Sequence, residues 1–144
     1  MIISSGLPVL CLESMTSSRK GAAGMPTAQE QGRLGEGLAR LYLQTQGFRI
    51  LDTGFRRPGG ELDLVASRAE VIAFVEVKTR GARNRTPPEA WVTPLKLSRM
   101  RQAARFWIHE HPPRGPVWYR FDVVVIQLNG RDGGLSLRHL PDVR

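Results

Sequence analysis

Three charged residues stand inside runs that are otherwise apolar. Asp63 lies within Gly60-Glu61-Leu62-Asp63-Leu64-Val65, and Glu76 and Lys78 lie within Phe74-Val75-Glu76-Val77-Lys78-Thr79-Arg80. An unpaired charge is costly to bury, so each of these residues needs a partner, either one another or a metal. Alternate residues of a strand share a face, so Glu61 and Asp63 are expected to point one way and Leu62 and Leu64 the other. By the same rule Glu76 and Lys78 share a face, with Val75 and Val77 opposite. If the two strands pair, Asp63, Glu76 and Lys78 meet at one point. Two carboxylates and an amine there could hold a hard cation and polarise a water, chemistry that suits hydrolysis of a phosphodiester. The same residues could instead close as a metal-free cluster, because structural ion pairs also bury charge.

The elements that must position these residues follow from pattern. A first helix is expected over residues 28–46, with Thr27 and Glu30 as a capping box, Leu34, Leu38, Leu41 and Thr45 as its apolar stripe, and Gly47 as its stop. Gly32, Gly35 and Gly37 are costly inside a helix, so they either fray it or admit a close neighbour. Three strands are expected over 48–55, 61–67 and 71–79, joined by links short enough to imply antiparallel neighbours. Thr86 with Glu89 reads as a second capping box opening a helical region, with a kink or restart near Thr93 because of Pro94, running to about His109. Strands over 119–128 and 135–140 complete an α/β domain, the last two joined through Asn129-Gly130 in a hairpin. The element order is helix, three strands, helix, two strands, in one domain over 27–144. Residues 1–26 read as a loose, disordered leader, and Met15 or Met25 offers a later start; an intact Met1 in the native protein would reject that start.

The bulk composition narrows the partners. A chain of 144 residues with net charge +8 and a pI near 11.0 points to an anionic partner, most plausibly nucleic acid, unless arginine is simply the favoured cation. Of 21 basic residues only Lys20, Lys78 and Lys96 are lysines. A lysine kept where arginine is the default suits a compact or deprotonatable ammonium. Cys11 is the single cysteine, which excludes an intramolecular disulfide and a cysteine-cluster zinc site and fits a reducing cytoplasm. No apolar run approaches the roughly 20 residues of a membrane helix.

Gly35-Glu36, Gly60 to Leu64, Phe74 to Arg80, Lys96 and Arg120-Phe121-Asp122-Val123-Val124 occur in that order. The set resembles the YraN family, uncharacterised protein family 0102, over roughly residues 29–140. That family is similar to the PD-(D/E)xK nuclease superfamily, above all its resolvase-like endonucleases. The resemblance implies a restriction-endonuclease type of fold, a mixed central sheet flanked by helices. It makes Asp63 the aspartate of the motif, Glu76 and Lys78 its E-x-K, and Glu36 the acidic residue of the first helix that assists the metal. Leu62 stands where many such nucleases have proline. On this reading Asp63, Glu76 and the Val77 carbonyl are metal ligands. Oxygen-only ligation favours Mg²⁺ or Mn²⁺ over zinc. Lys78 orients or deprotonates the attacking water, or stabilises charge on the phosphate. The relatives also imply a homodimer, since two strands need two sites.

Nearby residues carry weaker signals. Arg80, Arg83 and Arg85 form a basic loop suited to the phosphate backbone, or a solvated one. Lys96 could reach a phosphate, or stand on an exposed helix face. Arg99, Arg101 and Arg105 could extend a basic wall. Glu36 could pair with Arg40 on the helix surface, and Glu61 reads as an exposed strand end. Asp122 is expected to pair with an arginine as structural support. His109 and His111 are expected to meet helix-terminal carbonyls. Together these features lead to a metal-dependent endonuclease-like protein acting on DNA, possibly branched DNA, and to an alternative, a nucleic-acid-binding module or partner-dependent subunit that does not cut alone.

Overall fold

The computed structural model describes residues 26–81, 87–128 and 134–144. The leader expected over 1–26 lies outside these except for Pro26, as do Arg83, Arg85, Thr86 and the Asn129-Gly130 turn.

The first helix, α1, spans Ala28–Thr45. The Thr27 hydroxyl oxygen accepts the Glu30 N–H at 3.2 Å, and the Glu30 carboxylate accepts the Thr27 N–H at 2.7 Å. This reciprocal cap satisfies two donors that the first turn leaves open. At the other end Gly47 has φ +82°, a left-handed conformation that ends helices and favours glycine. The expected leucine stripe is corrected. The buried face is Gly35, Ala39 and Leu43, while Leu34 and Leu41 are 52% and 57% exposed. The reason is steric. A Cβ on Gly35 would lie 1.7 Å from Thr79 Oγ1, so α1 seats on the sheet through its small residues, and the seating turns two leucines outward.

Strands β1 (Arg49–Arg57), β2 (Gly60–Arg68), β3 (Val71–Arg80), β4 (Trp118–Leu128) and β5 (Leu135–Leu140) form one sheet in the order β1-β2-β3-β4-β5. β3 and β4 run parallel, and the other neighbours are antiparallel. A parallel pair needs a crossover, supplied here by α2 (Pro94–Glu110). The restart expected near Thr93 is present. Pro88–Trp91 is a separate 3₁₀ turn, and α2 starts afresh behind Thr93, whose hydroxyl oxygen accepts the Lys96 N–H at 3.2 Å. Pro94 costs nothing in a first turn, where its missing N–H would be unpaired anyway.

The two helices cover the sheet on opposite faces. Along β3, Ala73 and Val75 pack with Ala39 and Leu43 of α1, while Ile72 and Phe74 pack with Met100, Ala104 and Trp107 of α2. The result is a mixed α/β domain with its core in two layers. Among the described residues, no helix is long and apolar enough to cross a membrane.

Candidate functional site

Strand alternation fails at Asp63. Leu64 and Ala66 belong to the α1 layer, but Leu62 packs with Val65 in the α2 layer. Leu62 and Leu64 therefore do not share a face, which corrects the simple period-two expectation. The partner strand bends with it. Gly54, between the Thr53–Leu64 and Phe55–Leu62 pairs, has φ +62°, a conformation open to glycine. On the other side the β2–β3 ladder ends at Leu64 and Val75. Past that pair the Asp63 side chain takes over the backbone's role, and its Oδ2 accepts the Val77 N–H at 2.7 Å. The kink thus opens the sheet and fixes Asp63 beside Glu76 and Val77.

Glu76 is 3% exposed, and two ammonium groups hold it. Lys78 Nζ lies 2.6 Å from Oε1, and Lys96 Nζ lies 2.8 Å from Oε2. Among the described residues no hydrogen bond from another group reaches Oε2, and Lys96 holds it by charge and close contact. Lys96 Nζ is also 3.6 Å from Glu61 Oε1, and Glu61 meets Arg56 at 3.4 Å. The Lys96 side chain is 21% exposed, so it does not stand on an open helix face. α2 reaches this point because the β1–β2 turn docks on it. A Cβ on Gly60 would lie 2.1 Å from the Arg99 carbonyl oxygen, and Gln102 Nε2 donates to the Pro58 carbonyl at 3.1 Å.

Burial and crowding set the electrostatics of the cluster. Burial, then the Glu76 charge, pushes the Asp63 carboxyl up to about 7, with a smaller push from Glu36, against the opposing Val77 N–H and Lys96. Lys96 feels burial pulling its ammonium down, but contact with Glu76 and the nearby Asp63 and Glu61 charges more than offset it, so its value is raised. Among the described residues, no three His, Cys, Asp or Glu side chains gather as a ready-made metal cage. The donor set present is the Asp63 and Glu76 carboxylates beside the Val77 backbone. It fits Mg²⁺ or Mn²⁺, which bind through one or two carboxylates and keep waters, and does not fit zinc. Glu36 is exposed on α1 and acts on Asp63 through charge, without a described ion pair to Arg40.

A cleft of ≈ 420 Å³ adjoins the site, lined by Arg56, Arg57, Gly59, Gly60, Glu61, Lys96 and Arg99. A larger hollow of ≈ 700 Å³ lies on α2 around Arg101, Arg105 and Phe106, and none of Asp63, Glu76, Lys78 and Lys96 lines it. Arg80 stacks on Trp91, its guanidinium carbon 4.9 Å from the ring centroid. Arg83 and Arg85 lie outside the described residues. His111 Nδ1 is 3.0 Å from the Trp107 carbonyl, the helix-end role expected of it.

A second buried carboxylate, Asp122, sits on β4. Arg120 Nε lies 3.0 Å from Oδ1, His139 Nε2 lies 2.8 Å from Oδ2, and the Asp142 N–H donates to Oδ1 at 3.1 Å. Burial would raise this carboxyl, but the His139 and Asp142 hydrogen bonds and the Arg120 charge more than offset it and hold its pKa below the ordinary value. The arginine partner was legible two residues away. His139 was not, because only the β4–β5 register brings Val124 and His139 opposite each other.

Comparison with known proteins adds a family. Residues 35–126 match the family described as Uncharacterised protein family UPF0102. A UPF0102 protein of Pelobacter propionicus is 41% identical over 80% of this chain and 82% of its own length. Another from Beutenbergia cavernae is 40% identical over 78% of this chain and 93% of its own. A third, from Vibrio parahaemolyticus, is 36% identical over 76% and 90%. The matched segment contains Glu36, Asp63, Glu76, Lys78 and Lys96, and the chain belongs to the uncharacterised protein family UPF0102.

Proposed function

We propose that this protein is a metal-dependent phosphodiesterase of the endonuclease type, acting on DNA. The observation that carries the reading is the opening of the β2–β3 ladder at Asp63, with Asp63 bound to the Val77 N–H and Glu76 paired to Lys78 beside it. Asp63 and Glu76 would hold Mg²⁺ or Mn²⁺, with the Val77 carbonyl as a third oxygen, and the ion would supply Lewis acidity toward a phosphoryl oxygen. Lys78 stands 2.6 Å from Glu76 Oε1. An ammonium held by a carboxylate has no free lone pair, so Lys78 serves better to stabilise developing phosphate charge than to take a proton. The cleft arginines and Lys96 would seat the backbone next to the carboxylates, with Arg80 at the end of β3. In the reaction, water oxygen bonds to phosphorus and gives up a proton to solvent, the bond to the departing sugar oxygen breaks, and that oxygen gains a proton from solvent.

One observation favours the second reading, a nucleic-acid-binding module that does not cut alone. Two ammonium groups already neutralise Glu76, as in a closed ion cluster. The test is cleavage of labelled single-stranded, duplex, flapped and four-way-junction DNA, and RNA, in EDTA, Mg²⁺ or Mn²⁺. The nuclease reading expects metal-dependent cutting that Lys78→Met abolishes while leaving binding largely intact. Salt-sensitive binding with no cutting on any substrate would favour the module.

A further inference from the structure

Glu76 carries more cationic partners than a buried carboxylate needs. Lys78 on the same strand already sits 2.6 Å from Oε1. Lys96 comes from a different element, α2, and its Nζ lies 2.8 Å from Oε2, a buried oxygen that no other group among the described residues hydrogen-bonds. Lys96 also faces Glu61 at 3.6 Å and lines the ≈ 420 Å³ cleft with Arg56, Arg57 and Arg99. One ammonium therefore borders both the carboxylate pair and the cleft suited to phosphates.

We propose that Lys96 is a built-in competitor for the Glu76 carboxylate, coupling metal binding at Asp63 and Glu76 to polyanion binding in the adjoining cleft. The inference rests on the reading of those carboxylates as metal ligands. A divalent cation and the Lys96 ammonium cannot both hold Glu76 Oε2 without strong repulsion at such distances. A cation on the carboxylates leaves the Lys96 charge without its anion, and a phosphate in the cleft supplies one. Each ligand then favours the other, as linkage requires. Lys96 is a positioning residue in this scheme, and Lys78 keeps Glu76 paired when Lys96 is replaced.

The test is Mn²⁺ binding, followed by electron paramagnetic resonance of the free ion at about pH 8, above the Asp63 value of about 7. The parent protein, Lys96→Met and Lys96→Gln are compared with and without a phosphorothioate DNA duplex that resists hydrolysis. Urea unfolding shows that each variant is folded, and two variants guard against the loss of one. Without DNA, both variants are expected to bind Mn²⁺ about tenfold more tightly than the parent. Adding duplex should tighten Mn²⁺ binding in the parent and leave the variants nearly unchanged. Equal or weaker Mn²⁺ binding by the variants would overturn the coupling alone. An absence of Mn²⁺ binding by parent and variants would overturn it together with the metal reading.

Discussion

Two carboxylates lie buried in this sheet on neighbouring strands, and their surroundings differ in kind. Asp122 is 0% exposed and has directed partners on both oxygens, from Arg120, His139 and the Asp142 backbone. Glu76 is almost as deep, but it is held by two ammonium groups on flexible stems and faces a second carboxylate, Asp63. Asp122 is built to stay ionised and to tie β5 and the C-terminal residues to β4. In the Asp63–Glu76 pair both lysine ammonium groups gather on Glu76, and the neighbouring Glu76 charge still helps to raise the Asp63 carboxyl. A buried charge with complete hydrogen bonding supports the fold, whereas crowded carboxylates held by flexible ammonium groups, with a raised carboxyl among them, mark a candidate functional site.

The largest stability effect that separates the two should come from Asp122→Ala. Removing the acceptor strands Arg120 and His139 partly inside the protein, and urea unfolding should show a loss of about 3–5 kcal/mol. The pH dependence has a definite sign. The folded Asp122 carboxyl is below its ordinary value, so its contribution is fully present above about pH 4 and is lost as pH falls through the folded value. Asp122→Asn should lack that acid-side loss. Parallel pH profiles for parent and variant would remove the contrast drawn for this site.

Gly60→Ala should come next, at about 1–3 kcal/mol, because the new methyl meets the α2 backbone rather than a flexible side chain. It displaces the helix that carries Lys96 and leaves the Asp122 cluster untouched, so metal affinity should change with stability. An unaltered metal affinity would mean that α2 does not set the site.

Asp63→Asn should move stability the other way. The Asp63 carboxyl is raised to about 7, so the native state keeps a proton that the unfolded chain loses near pH 4. This group therefore destabilises the fold progressively as pH rises from about 4 to 7. Asparagine should add about 1–3 kcal/mol at pH 8 in EDTA and almost nothing at pH 4. Saturating Mg²⁺ should stabilise the parent alone. A destabilised Asp63→Asn at pH 8 would contradict the repulsive character of the pair. The smallest effect is expected from Glu61→Gln, whose exposed contacts with Arg56 and Lys96 are 3.4 and 3.6 Å and are worth under about 0.5 kcal/mol.

How much of this was legible in the sequence depended on distance along the chain. Glu76 and Lys78 announced themselves as charges in an apolar strand, and short links fixed β1, β2 and β3 as antiparallel neighbours. The kink at Asp63 was hidden, since alternation assumes a straight strand, and only Gly54 on the opposite strand hinted at the bend. The face of α1 was misread because pattern gives weight to large apolar residues, while the contact with Thr79 selects Gly35 and Ala39. For Lys96 the sequence offers a phosphate contact or an exposed helix face, and neither includes a partner on β3. Its pairing with Glu76 depends on the docking of Gly60 against Arg99, which local periodicity does not encode.

The central claim is tested most directly by single-turnover cleavage of the best DNA substrate by the parent, Asp63→Asn and Asp122→Asn. The measurement is made in Mg²⁺, Mn²⁺ and EDTA at a temperature where all three are folded. Cutting by the parent only with metal, its loss by at least about a thousandfold in Asp63→Asn, and its survival in Asp122→Asn are the predicted results. Cutting in EDTA, cutting that survives in Asp63→Asn, or no cutting by the parent on any substrate would contradict the account.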